Sequence, residues 1–216
     1  MSELGLRAVG ERAVMLDAPG PARPASLAAA IRRLAARRGI DVADVVPGAA
    51  TVLAVAATPE QLARLVAVLA DMDDEDDEVA ETPAMVELPV RYDGPDLVSV
   101  AAATGLGVAE VVRRHSQATY RAAFTGFAPG FAYLTGLDPA LELPRRSSFR
   151  PSVPAGSVAI ADCYSAVYPR SSPGGWHLLG STTAVMFEPD RSGDRRAALI
   201  APGDLVRIVI QPGPLP

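Results

Sequence analysis

Between residues 71 and 83 the chain reads DMDDEDDEVAETP, a run of acidic side chains without apolar periodicity. Like charges at that density repel one another, and nothing in the run offsets the entropy of ordering it, so a solvated linker is expected there. That segment constrains the architecture more than any other. The 216 residues are expected to divide into an N-terminal domain, residues 1–82, and a second domain, residues 83–216. Carboxylates also suit calcium or magnesium, but the run lacks the glycine and the spaced ligands of a calcium loop, and no metal site is expected.

The first half alternates in type. AVMLD (13–17) reads as a strand, and residues 26–38 as a helix carrying Leu27, Ile31 and Leu34 at helical spacing. Ser26 suits its N-cap and Gly39 its stop. TVLAVAA (51–57) is a strand rich in branched residues, and residues 58–72 form a helix with Thr58 as cap and Pro59 at the first position. Strand, helix, strand, helix describes a small α/β domain. In the second half MVELPVRY (85–92) alternates as a strand, followed by helices over 96–105 and 107–120, the latter with Val108, Val111, Val112 and His115 on one face. From there FAYLTGL, SVAIADCYSAVYP, TTAVMFEP and DLVRIVIQ read as short strands broken by Gly and Pro, the pattern of a closed barrel or sandwich. The fold class is α+β.

Charge and reactive groups narrow the function. A formal charge of −5 and a pI near 5.1 exclude a general nucleic-acid binder, which needs a basic stripe. All 20 basic residues are arginine, so neither a Schiff-base lysine nor the lysine of a P-loop exists here. The single cysteine, Cys163, permits no internal disulfide and fits a reducing compartment; a buried strand thiol is expected rather than a nucleophile. The N-terminus has no apolar h-region and no run nears the roughly 18 apolar residues of a membrane span, so a cytoplasmic location is expected.

The stretch FTGFAPGFAYLTG (124–136) sets Phe127, Phe131 and Tyr133 among small residues and interrupts them with Pro129-Gly130. An ordinary core strand has no use for that pair, because Pro donates no ladder hydrogen bond and Gly adds no packing side chain. It is expected to form a rigid apolar wall beside a pocket, or a surface meeting a partner; a bulged hairpin packed on its own barrel is the alternative. Gly-rich turns offer N–H groups to anions and arginines offer planar forks, so PGGWH (173–177), PAGS (154–157) and PRR (144–146) are suited to a binding site. Each candidate also has a structural reading. His115 on an apolar helix face suits a hydrogen-bonded core residue, and Trp176 suits the plug of a barrel end. Arg145 suits a surface ion pair, and Ser157 lacks the flanking pattern of a nucleophile elbow. His177, after Gly-Gly-Trp in a loop, is placed to reach a ligand.

RRHSQATYRAAFTGFAPGFAYLTGLDPALELPRR, VPAGSVAIA, YPRSSPGGWHLLG and PGDLVRI, in that order, resemble the subunit-1 family of allophanate hydrolase. That family includes the 5-oxoprolinase B subunit, together with a sporulation-kinase inhibitor. The resemblance implies a small N-terminal α/β domain followed by a cyclophilin-like closed β-barrel. It implies one component of an ATP-dependent 5-oxoprolinase, inactive alone, whose A and C partners complete the enzyme, the C partner being allophanate hydrolase subunit 2. That enzyme opens the lactam of 5-oxoproline to glutamate. ATP with Mg2+ then belongs to the complex. A lactam is a resonance-stabilised amide, and phosphorylating its oxygen makes the carbon electrophilic; the site must supply fixed cationic or N–H donors and exclude water.

On the family's motifs, the substrate or nucleotide pocket is expected to draw on His115, Phe127, Pro129, Gly130 and Tyr133. Arg145, Ser157, Tyr168, Gly174, Gly175, Trp176 and His177 complete it. The partner interface is expected at Phe127, Phe131, Tyr133 and Trp176. The sequence departs from the family pattern at Phe149, where proline is usual, at Tyr164, where glutamine is usual, and at His177 and Ser181, where a glutamine-like residue and an arginine are expected. The alternatives are a component of the allophanate hydrolase or urea carboxylase type, and a binding module that inhibits a histidine kinase. A prolyl isomerase follows only from the barrel's fold, which does not establish chemistry.

Overall fold

The computed structural model describes residues 5–20, 23–72, 83–190 and 196–213, which form two compact units, Met1–Pro83 and Ala84–Pro216. Most of the acidic run, residues 73–82, lies outside the described residues.

In the first unit the order is β1 (Leu6–Val9), β2 (Ala13–Asp17), α1 (Arg23–Arg37), β3 (Val42–Pro47), β4 (Thr51–Ala56) and α2 (Pro59–Ala70). The strands form one antiparallel sheet in the order β1-β2-β4-β3. Alternation decides which face is covered: Val52 and Ala54 of β4 and Val14 and Leu16 of β2 are buried with Leu27, Ile31 and Leu34 of α1 and Leu65 and Leu69 of α2. The two edge strands escaped the sequence pattern because three of the four residues of β1 and three of the six of β3 are exposed, leaving no apolar period to read. Helix α1 begins at Arg23, so Ser26 lies within its first turn and its hydroxyl donates to the Arg23 carbonyl instead of capping. Gly39 stops the helix as expected: its φ is 60°, and the N–H groups of Gly39 and Ile40 bond the carbonyls of Ala36 and Ala35, closing a Schellman turn. Thr58 caps α2 by accepting from the Gln61 N–H.

The second unit begins with β5 (Met85–Val90), α3 (Leu97–Thr104) and α4 (Val108–Gln117), then β6 (Thr119–Thr125) and β7 (Ala132–Thr135). Strands β8 (Arg150–Val153), β9 (Ser157–Ala161), β10 (Tyr164–Val167), β11 (Ser172–Gly174), β12 (His177–Ser181) and β13 (Leu205–Ile210) follow. A seven-stranded sheet runs β12-β9-β10-β7-β6-β13-β5, and a separate ribbon pairs β11 with β8. All neighbours in the large sheet are antiparallel except β13 with β5. Pro89 is tolerated because β5 is the outermost strand. The sheet curls into a half-barrel. Its two outer strands come together at one bridge, Arg91↔Ser181, where the backbone groups exchange two hydrogen bonds of 2.8 Å. Leu88, Val90, Val111, Leu134, Ile160 and Leu179 belong to the core inside the curl, with Leu97 and Val100 of α3.

Four sequence expectations change here. Residues 157–169 are a hairpin rather than a single strand, because Asp162 takes a left-handed φ of 51° and turns the chain between Ala161 and Tyr164. Cys163 sits at that turn and is exposed, so it is no buried thiol. Residues 182–189 contain only an isolated bridge, Phe187↔Ala198. Helix α4 ends at Gln117, and β6 begins two residues later because Tyr120 points into the core and donates its hydroxyl proton to the His115 carbonyl.

Candidate functional site

Strands β6 and β7 are joined by the loop Gly126–Phe131, and the sequence's oddest stretch is the one the structure bends hardest. The Ala128 N–H donates to the Gly126 carbonyl across Phe127, whose φ is 66°. Such a three-residue turn is rare, and a bulky side chain held at positive φ marks a constrained position. The turn presents the Phe127 ring outward, 60% exposed, edge-on to Phe131 and Tyr168 at 5.2 and 6.2 Å. Phe131 lies beneath, only 2% exposed, with edge contacts to Tyr133, Tyr168 and Trp176 at 5.0, 5.5 and 5.6 Å.

These rings line a pocket of about 280 Å3, closed further by Arg145, Phe149, Pro173, Gly174 and Gly175. The glycines are there for space: a Cβ on Gly174 would collide with the Tyr168 hydroxyl, and one on Gly175 would come within 2.8 Å of the Phe149 ring. Arg145, 55% exposed, brings the positive charge, with Asp162 3.8 Å from its Nε. Burial pushes the Tyr168 phenol up, outweighing the Trp176 backbone hydrogen bond and the Arg145 and Arg150 charges, which favour its ionised form. The pocket is therefore a mostly apolar, ring-walled slot with one guanidinium, Arg145, and two phenols, Tyr133 and Tyr168.

A buried ion cluster supports it. Asp96, at the start of α3, has a side chain only 4% exposed and receives Arg146 and Arg150 on Oδ1 at 2.7 Å each. Its Oδ2 accepts the Leu178 N–H at 2.8 Å. Burial alone raises a carboxyl's pKa, but Arg150, the Leu178 N–H and Arg146 together outweigh it and hold Asp96 below the ordinary carboxylate range. The Arg146 N–H in turn donates to the Gly175 carbonyl, so the cluster fixes the floor of the slot.

Of the residues expected in one pocket, Phe127, Tyr133, Arg145, Tyr168, Gly174, Gly175 and Trp176 come together. Phe131, expected as an interface anchor, is a buried wall of the same pocket. The others are elsewhere. Pro129-Gly130 serves the fold: Gly130 has a φ of 82°, and a Cβ there would lie 2.7 Å from the Phe187 Cβ and 2.8 Å from the Met186 carbonyl oxygen. His115 is wholly buried, between the Tyr92 hydroxyl at 2.7 Å and the Ser165 hydroxyl at 2.9 Å. Ser165 donates onward to the Ala159 carbonyl, so Tyr92 donates to Nδ1 and Nε2–H donates to Ser165. Ser157 is buried on β9. His177 lies beside the slot, in a second cavity that it lines with Arg145 and Arg146.

Among the family departures, Phe149 lines the slot, Tyr164 stands edge-on to Phe124 and Tyr133, and Ser181 donates to Asp93. Sequence reasoning missed Asp96 and Arg150. Asp before a helical run reads as an ordinary N-cap, and its arginines lie 50 and 54 residues away. Among the described residues no group of three His, Cys, Asp or Glu side chains is placed to hold a metal ion, and no helix is long and apolar enough to cross a membrane.

Residues 4–197 match the family model described as carboxyltransferase domain, subdomain C and D. The chain is 40% identical to the 5-oxoprolinase B subunit of Escherichia coli O157:H7 over 210 residues, 94% of each chain. Among solved structures it is similar to TTHA0988, with a TM-score of 0.78 and 36% identity over 95% of this chain, of which it spans 41%. It also shares a fold with the K. lactis urea amidolyase at a TM-score of 0.70 and 15% identity, covering 95% of this chain and 15% of that one.

Proposed function

Since this chain belongs to the family of the carboxyltransferase domain, subdomain C and D, we propose that it is the B subunit of an ATP-dependent 5-oxoprolinase, which opens 5-oxoproline to glutamate. One observation carries this reading beyond kinship. The aromatic slot is small, about 280 Å3 against the roughly 300–1,000 Å3 of typical ligand pockets, and its walls are flat rings with Arg145 at hand. A five-membered lactam has an apolar face to lie against the Phe127 ring, which stays 60% exposed at the slot. Its carboxylate suits the planar fork of Arg145, and Tyr168 and Trp176 offer donors to the ring carbonyl.

The chain acts in a complex with the enzyme's A and C components and turns nothing over alone. The curled sheet is the half-barrel of a cyclophilin-like closed barrel, the complex works in the cytoplasm, and ATP with Mg2+ is held at the level of the assembly. The likeness to urea amidolyase is one of fold at 15% identity and favours no urea chemistry.

The reading is tested by ATP-dependent glutamate release from 5-oxoproline, with all three components and with each omitted. Release that requires this chain, and that falls at least tenfold in Arg145→Gln through a raised KM, supports it. No release from the full set, or consumption of urea or allophanate instead, overturns it. Trp176 is the chain's one tryptophan, so its fluorescence reports ligand entry directly.

A further inference from the structure

The slot shares Arg145 with the second cavity, which has a volume of about 490 Å3. Arg146, His177, Ser99, Ser147 and Ser148 also line it, and no residue of its lining is acidic. We propose that this cavity is a binding site for a tetrahedral oxyanion of the phosphate type, distinct from the aromatic slot and joined to it by Arg145.

Unused hydrogen-bonding capacity points there. Arg146 spends Nη1 on Asp96, yet its Nε is buried and has no hydrogen-bond partner among the described residues. The same holds for His177 Nδ1, while Nε2 of that ring donates to the Pro144 carbonyl at 3.0 Å. Two buried polar atoms without partners, on two residues that line one cavity, are the exception in a folded protein. Charge agrees with this. Arg146 and Arg150 share the single carboxylate of Asp96, so that cluster keeps one net positive charge. Asp96 stands at the N-cap of α3 but makes no capping hydrogen bond, because its oxygens are committed to the arginines and to Leu178. The positive end of that helix, where Ser99 occupies the first turn, therefore adds to the field.

The donor set prefers phosphate to carboxylate. The lining offers donors in two guanidinium groups, Arg145 and Arg146, and in the hydroxyls of Ser147 and Ser148. A phosphate spreads up to four acceptor oxygens tetrahedrally among them, whereas an ionised carboxylate brings two in one plane. The cavity is also larger than one phosphate requires, which leaves room for the remainder of a phosphorylated ligand.

The test uses the whole chain at fixed ionic strength, with inorganic phosphate followed by isothermal titration and by 31P line broadening. Saturable binding is expected. It should weaken at least tenfold in Ser148→Glu and in Arg145→Gln, both at exposed positions that leave the Asp96 cluster intact, and stay unchanged in Arg7→Gln of the first unit. Acetate should compete at least tenfold less well. Displacement by ADP would assign the site to a nucleotide phosphate and indifference to ADP would assign it to free phosphate; either supports the proposal. Absence of saturable binding, equal weakening in Arg7→Gln, or acetate competing as well as phosphate overturns it. No 5-oxoproline is present, so failure here leaves the substrate assignment standing, and failed glutamate release leaves this site standing.

Discussion

Phe127 is held at a φ that costs a bulky residue about 1–3 kcal/mol, and its ring is mostly exposed, so the fold recovers little by burying it. What it supplies is a wall of the slot. Phe127→Gly should therefore melt no lower than the wild type while weakening the quenching of Trp176 by 5-oxoproline at least tenfold. A lower melting point with undiminished quenching would show that the ring serves the fold instead. His115 is the opposite case, a fold residue in a functional motif. Burial pushes its pKa down to about 3, whereas an unfolded chain takes up that proton near pH 6.5. Between those values the unfolded state binds the extra proton, so stability falls as pH falls. At pH 5 the loss relative to pH 7 is about 2 kcal/mol from this residue alone. His115→Gln should be less stable at pH 7 and lack that part of the slope, as urea melts at pH 7 and pH 5 would show.

At the scale of elements, Asp96 decides whether α3, β8 and β12 stay in register, since its carboxylate binds Arg150 and the Leu178 N–H as well as Arg146. Asp96→Asn leaves two arginines facing no charge. The expected cost at pH 7 is about 3 kcal/mol, the low end for a broken buried pair, because both arginines keep a quarter of their surface in solvent. With the folded pKa depressed, the contribution is whole above the ordinary carboxylate value of about 3.9 and is lost as pH falls toward the folded one. The gap between wild type and variant should thus hold from pH 7 to pH 5 and close below pH 4, read from denaturant melts. This element-level design was only partly legible in the sequence. Local signals read correctly: Thr58-Pro59 begins α2, Gly39 ends α1, and β4 alternates. Edge strands β1 and β3 lacked an apolar period, and the β9–β10 hairpin was hidden because only the backbone of Asp162 marks its turn. The site followed the same rule. Trp176, Tyr168 and Arg145 came from contiguous motifs, whereas Asp96 meets its arginines only after β8 and β12 are in place.

On the scale of the whole molecule, the buried and exposed rings separate two roles that the sequence had merged. Phe131 has no surface to give a partner, so Phe131→Asp should unfold the second unit by burying an unpaired carboxylate. Phe127 and Phe149, 60% and 71% exposed at the mouth of the slot, are the rings available for contact. In TTHA0988 a chain more than twice as long contains the equivalent of this one as 41% of its length, so there the same fold is covalently continued by further protein. A partner supplied separately would meet this chain at a comparable apolar rim, where exposed aromatic anchors are the groups that bind. Phe149→Glu should leave the melting temperature within about 2 °C, since a surface change away from structural features stays within about 0.5 kcal/mol. If the proposed C component is the partner, the substitution should abolish co-elution with it, as light scattering on the co-expressed pair would report. A Phe149→Glu chain that still elutes with that component would move the interface away from the slot. Glutamate release at the same time would then have to come from a pocket the partner does not cover, which is a poor arrangement for excluding water from an activated lactam.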